Sequence, residues 1–258
     1  MNRFLLILLS LSILTACQVD EKQPAAGNVQ TDSTANRLYN AVMWQRISTE
    51  YRALCYQTYQ QAGNVLIAAQ PGKVTGKRKV ESTGKPQAVI VDVDETILDN
   101  SAYEYQLLKT NTKYESGSWK AWVLEAAAPA VPGALEFCKL AESLDVHIIY
   151  LSNRKQDEVN ATLKNLQELG FPYADSLHTY FKEDSSDKEA RRLKVVEKYE
   201  VRMLIGDNMG DFAADFQDRS KENGFPAVDS LKNLFGVRYF ILPNPMYGNW
   251  EDLLKAKY

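Results

Sequence analysis

The segment Ala88-Val-Ile-Val-Asp92-Val-Asp94-Glu-Thr96 limits what this chain can fold into more than any other feature. It is an apolar run that ends in acid. A short, β-branched apolar run reads as a strand buried on both faces, and such strands belong to parallel sheets covered by helices. Carboxylates directly after it put charge at the C-terminal edge of the sheet, where open α/β sheets bind their ligands. The pattern returns: Val146-His-Ile-Ile-Tyr-Leu151 runs into Ser152, and Val201 to Ile205 runs into Gly206 and Asp207. Leu177 to Phe181 and Val237 to Leu242 are further candidate strands.

Helical stretches lie between these strands. Residues 101–128 read as mixed helix and loop. Pro132 and Gly133 open a helix reaching about Ser143. Asp157 to Leu169 is helical and closed by Gly170, Lys188 to Tyr199 is helical, and Phe212 to Phe216 reads as a short helix. Strands alternating with helices predict an α/β fold, a Rossmann-like parallel sheet with helices on both faces. A small helical region precedes it. From Thr34 to Ala69, Leu38, Val42, Ile47, Tyr51, Leu54, Cys55, Tyr59 and Val65 mark a buried stripe on one long helix or two consecutive ones. Pro71 to Gln87, with three glycines and five cations, reads as a loop.

The N-terminus is a different kind of sequence. Asn2 and Arg3 precede an apolar run of 11 residues, Phe4 to Leu14, too short to span a bilayer and suited to a signal peptide. It closes on Leu14-Thr-Ala-Cys17, which resembles a bacterial lipobox. Residues 1–16 are therefore read as a lipoprotein signal peptide, and Cys17 as the lipidated N-terminus of the mature chain. Residues 17–35 form a small, polar tether, and 36–258 the folded domain. Acyl chains on Cys17 would anchor the protein to a membrane. Gln18, where an Asp would favour the inner membrane, leans to the outer membrane of a bacterial cell envelope, by resemblance to known sorting signals.

The net charge of −3 gives no electrostatic reason to expect a nucleic-acid polymer as partner. Cys55 and Cys138 lack a CxxC or histidine partner. They read as buried thiols, with a disulfide left open in an oxidising compartment.

The chemistry centres on four acids, Asp92, Asp94, Asp207 and Asp211, arriving as two pairs that each leave an apolar strand. Carboxylates gathered at strand ends repel one another and cost desolvation energy, so something positive must compensate. A hard divalent cation with oxygen ligands does this best, and Mg²⁺ commonly combines one or two carboxylates with a substrate phosphate. Ser152 offers a hydroxyl after the second strand, and Lys188 a mobile ammonium at a helix start. Arg154 suits either a phosphate or one of the aspartates. His147 and His178 read as packing residues.

Asp-Val-Asp-Glu-Thr at 92–96, Ser152, Lys188 and Gly-Asp-Asn-Met-Gly-Asp at 206–211 resemble, in order, the four motifs of the haloacid dehalogenase superfamily. Within it the chain is similar to the bacterial class C acid phosphatases, also through Leu98-Asp-Asn-Ser-Ala-Tyr103, Ser152-Asn-Arg154 and Met246-Tyr-Gly-Asn-Trp-Glu251. The resemblance implies a phosphomonoester hydrolase working by double displacement. Asp92 is the nucleophile and Asp94 the general acid and base. One Mg²⁺ per subunit is held by Asp92, Asp94 and Asp207, with Asp211 behind it through water. Thr96, Ser152 and Lys188 bind phosphate or its loop. Trp119 and Tyr247, with Tyr114 as a less close match, surround the leaving group. Small phosphomonoesters such as nucleoside 5′-monophosphates or nicotinamide mononucleotide are the implied substrates, and the resemblance allows a homodimer. No RHG tripeptide or CxxxxxR loop supports a histidine or cysteine phosphatase. The reading from another class is a ligand-capturing surface lipoprotein, for haem for example. Loss of phosphatase activity in Asp92→Asn with ligand capture unchanged would separate the two.

Overall fold

A computed structural model of the chain describes residues 33–70, 74–75, 78–79 and 84–257. Residues 1–32, with the signal peptide, most of the tether and Cys17, lie outside the described residues. Helix α1 (Ser33–Ile47) begins inside the segment read as tether, and α2 (Thr49–Ala68) follows it directly. Ser48 separates them: its hydroxyl accepts the Tyr51 N–H at 3.0 Å, which caps the second helix and resets the register. For that reason the predicted stripe does not run straight through. Ile47 ends α1 at 71% exposure, and Leu54 is turned outward, because α2 buries Tyr51, Cys55, Tyr59, Ala62 and Leu66 at helical spacing.

The segment 71–87 is not all loop. Strands β1 (Val74–Thr75) and β2 (Arg78–Lys79) pair antiparallel, and Gln87 opens β3 (Gln87–Val91). After β3 come α3 (Ser101–Thr110), α4 (Ser116–Glu125), α5 (Ala134–Ser143), β4 (Val146–Lys155), α6 (Val159–Glu168) and β5 (Thr179–Lys182). The chain continues through α7 (Glu189–Lys198), β6 (Glu200–Gly206), α8 (Phe225–Ser230), β7 (Tyr239–Ile241) and α9 (Glu251–Lys257). The stretch expected as a short helix is two 3₁₀ turns, Met209–Asp211 and Ala214–Phe216. Strand β4 runs past the apolar segment to Lys155, so Ser152 lies within it rather than after it.

Five strands form one parallel sheet in the order β5-β4-β3-β6-β7. Alternation along the strands divides two cores. Val89, Val91, Ile148, Tyr150, Met203 and Ile205 face α2 and α5, whereas Ala88, Ile90, Ile149, Leu151 and Leu204 pack with Val195 of α7, Phe212 and Phe216. Cys55 and Cys138 are free thiols in the first of these cores. The chain builds outward from β3 through β4 to β5, then crosses back and continues on the other side as β6 and β7. The direction reverses between β3 and β6, and a crevice opens at such a switch point beyond the strand C-termini. Among the described residues no helix is long and apolar enough to cross a membrane.

Candidate active site

The switch point holds the acids. Asp92 follows β3, and its backbone N–H donates to the Ile205 carbonyl of β6 at 2.9 Å, which fixes the backbone as it leaves the sheet. Asp207 follows β6. Carboxylate oxygens of Asp92, Asp207 and Asp211 come within 4.8 Å of one another. Lys188, at the N-terminal boundary of α7, reaches into the cluster: its Nζ donates to Asp92 Oδ1 and, at 2.7 Å, to Asp211 Oδ1. All three side chains in these two ion pairs are less than 10% exposed.

The electrostatics follow from that burial. Loss of water pushes the Asp92 carboxyl well above its ordinary value; the Lys188 ammonium opposes the rise, and Asp211 and Asp207 add to it. Burial, then the charge of Asp211, raises Asp207 to about 7, against the Asn244 amide, which donates to its Oδ2 at 2.8 Å. Burial also disfavours the Lys188 charge, yet Asp211 and Asp92 together raise its pKa above that of an ordinary lysine. Three clustered carboxylates thus have one ammonium among them, paired with Asp92 and Asp211. The donor set is all oxygen and short of positive charge, which fits a hard divalent cation.

The Asp207–Asp211 turn depends on a glycine. Asn208 Oδ1 accepts the Gly210 N–H, Asp211 Oδ2 accepts the Asn208 N–H at 2.9 Å, and Arg192 donates to the Gly210 carbonyl at 2.7 Å. Asp211 is therefore the return arm of a capping box and not a helix N-cap. A Cβ on Gly206 would stand 2.4 Å from Asp211 Oδ2 and 2.5 Å from its Cβ. Gly206→Ala is expected to drive Asp211 out of the cluster and lower divalent-cation affinity by about 10–100-fold, the usual scale for damaged support around a metal site. Isothermal titration with Mg²⁺ reads this directly, and an unchanged affinity refutes it.

The sheet brings the other predicted residues to the site in different ways. Thr96 is fully buried and its hydroxyl donates to Asp207 Oδ1 at 3.4 Å, so it orients an acid. Ser152 is fully buried as well; its hydroxyl accepts the Arg154 N–H at 3.0 Å and its carbonyl accepts from Arg191 at 2.6 Å. Neither lines the cavity that opens over the acids, of about 770 Å³. Asp94 does, and Arg154 pairs with it, donating from Nε and Nη2 to Oδ1 at 3.0 and 2.8 Å. Trp119 and Tyr247 line the same cavity, with Tyr114. The Trp119 ring stands edge-on to Tyr103, centroids 5.2 Å apart, and under the Arg154 guanidinium at 5.6 Å.

Several residues that hydrogen-bond around the acids were given no role by the sequence: Glu95, Asn100, Trp122 and Asn244. Asn244 carried a usable signal, since it follows β7 as the acids follow β3 and β6. The two histidines do more than pack. His147 Nδ1 lies 2.9 Å from His178 Nε2, and His178 Nδ1 lies 2.8 Å from Asp175, at the opposite end of β4 from the acids.

A parallel α/β sheet with paired acids after β3 and β6, and a lysine between them, defines a haloacid dehalogenase-like fold. The sequence profile of the HAD superfamily, subfamily IIIB (acid phosphatase), matches residues 8–250, and the chain belongs to that family. The class C acid phosphatase from Bacillus anthracis is 34% identical and superposes with a TM-score of 0.77 over 87% of this chain and 90% of that one. Its tungstate-bound structure gives a TM-score of 0.78. Acid phosphatase 1 of Solanum lycopersicum is 28% identical over 166 residues, and vegetative storage protein 2 of Arabidopsis thaliana 26%. The chain spans 57% and 55% of the length of those two plant proteins.

Proposed function

We propose that this protein hydrolyses small phosphomonoesters through a phosphoaspartate on Asp92, with Mg²⁺ bound by Asp92, Asp207, the Asp94 backbone oxygen and, behind them, Asp211. The observation that carries the reading is the cluster of three carboxylates at the switch point, two of them paired with one buried ammonium. The tungstate-bound relative supports an oxyanion as the natural occupant, because tungstate is tetrahedral like phosphate.

An Asp92 carboxylate oxygen attacks phosphorus as the bond to the leaving oxygen breaks. Asp94 gives its proton to that oxygen, then takes one from the water that attacks phosphorus and releases Asp92. Lys188 offsets charge on the phosphoryl oxygens, and Ser152 and Thr96 hold the surrounding loops. A bound divalent cation would add a second, stronger centre of positive charge for the same oxygens. Trp119 and Tyr247 offer π-faces to the leaving group, which suits nucleoside monophosphates and similar ring-bearing esters. The Leu14-Thr-Ala-Cys17 segment supports export and lipid anchoring to the envelope, with the outer membrane as destination.

The purified protein is expected to release p-nitrophenol from p-nitrophenyl phosphate at acidic pH with Mg²⁺, and to lose that activity in EDTA. A folded protein inert to this ester and to a panel of nucleoside monophosphates in Mg²⁺ would sink the hydrolase reading.

A further inference from the structure

We infer that Arg154 and Asn100 are positioning residues that aim Asp94 as the proton donor to the leaving group. This rests on the phosphomonoesterase reading above.

Three N–H groups converge on one oxygen of Asp94. Arg154 Nε and Nη2 reach Oδ1 at 3.0 and 2.8 Å, and Asn100 Nδ2 reaches the same atom at 2.9 Å. Among the described residues none donates to Oδ2. Oδ1 has no remaining lone-pair direction for a mobile proton, so Oδ2 is the atom that exchanges one with substrate or water. The asymmetry fixes both the rotation of the carboxyl and the oxygen that acts.

Each donor is itself held from behind. The Trp122 indole N–H can only donate, and it donates to Asn100 Oδ1 at 2.9 Å. That sets the amide orientation: with oxygen toward Trp122, nitrogen must face Asp94. Glu95, fully buried and at φ 56°, accepts the Asn100 N–H at 2.7 Å and its Nδ2 at 3.3 Å. The left-handed turn at Glu95 folds the side chain back under the loop, where it holds Asn100 from below. Arg154 is clamped at its far side by Thr162, whose hydroxyl gives its proton to the Glu158 carbonyl at 2.9 Å and so accepts from Nη1 at 3.0 Å. Arg154, Asn100, Glu95 and Thr162 are each no more than 3% exposed. The side chain they hold belongs to Asp94, which lines the cavity. A buried network this complete around one oxygen of one cavity acid is a device for orientation.

Leaving groups separate this role from simple structural support. A p-nitrophenolate departs without protonation, whereas an alkoxide needs Asp94. The measurement is kcat/KM for p-nitrophenyl phosphate and for glycerol phosphate, in wild type, Arg154→Ala, Arg154→Lys and Asn100→Ala, all in Mg²⁺. Arg154→Ala and Asn100→Ala are expected to lose about 10²-fold or more on the alkyl ester, the scale of general acid catalysis, and less than about 10-fold on the aryl ester. Arg154→Lys restores one donor and should recover part of the alkyl activity. Equal losses on both esters in folded variants would overturn the inference and leave Arg154 and Asn100 as scaffold only. If Arg154→Ala fails to fold, Asn100→Ala and Arg154→Lys carry the same comparison. A wild-type protein inert to both esters would instead remove the phosphatase reading, and this inference with it.

Discussion

Asp92→Asn is expected to stop turnover, with kcat lower by about 10⁴–10⁶-fold, the range seen when a covalent nucleophile is removed. An amide oxygen of the same shape fills the same space, so the cavity persists, and Lys188 keeps its bond of 2.7 Å to Asp211. The neutral amide also relieves repulsion among the three clustered acids. Thermal unfolding without metal should therefore show a midpoint no lower than wild type. Rapid-quench detection of a phosphoenzyme, present in wild type and absent from Asp92→Asn, checks the chemistry. A variant that still accumulates covalent phosphate would move the nucleophile elsewhere.

Lys188→Met should have the second largest effect and the opposite consequence for stability. The ammonium is the positive partner of two buried carboxylates, and removing one partner of a buried pair costs about 3–5 kcal/mol because charge is left uncompensated. Turnover should fall by about 10²–10³-fold through lost stabilisation of phosphoryl charge. Urea unfolding distinguishes the two contributions: Mg²⁺ should restore part of the lost stability, because it supplies positive charge to the same acids, while activity stays low. Stability equal to wild type in metal-free buffer would mean that the carboxylates do not depend on Lys188.

Much of this site could be read from the chain alone, for a physical reason. Asp92, Asp94 and Asp207 sit where apolar runs stop, and a run that stops in acid marks a strand end as well as a chemistry. What the sequence concealed depends on partners chosen by tertiary packing. Arg154 was equally suited to phosphate or to an aspartate. The apolar pattern of β4 ends at Leu151, but its pairing continues to Lys155 opposite Lys182, and that extension carries Arg154 to Asp94. Glu95 stood in the sequence only as a member of the Asp-Val-Asp-Glu-Thr motif, and a left-handed backbone turns it inward. Ser152 was expected on the phosphate and Thr96 on the phosphate or its loop; both are fully buried, where alternation within β4 and the tight loop after β3 place them. Ile47 and Leu54 fell out of the stripe because Ser48 restarts the helix, a break that apolar spacing does not register.

The strand order also sets when in the life of the chain the site can exist. Lys188 meets Asp92 across 96 residues, and Thr96 meets Asp207 across 111. Neither meeting is local, and the second waits on β6 docking beside β3. Long-range pairings of this kind form slowly because loop-closure entropy must be lost before any contact rewards it. A chain still emerging from the ribosome, or one threading through a membrane unfolded, holds its aspartates apart as ordinary solvated acids. It has no nucleophile and repels no neighbour. Under the proposed reading, reactivity arrives only with the finished sheet, and a chain exported before folding would carry its phosphate chemistry across the membrane without having exercised it on the way.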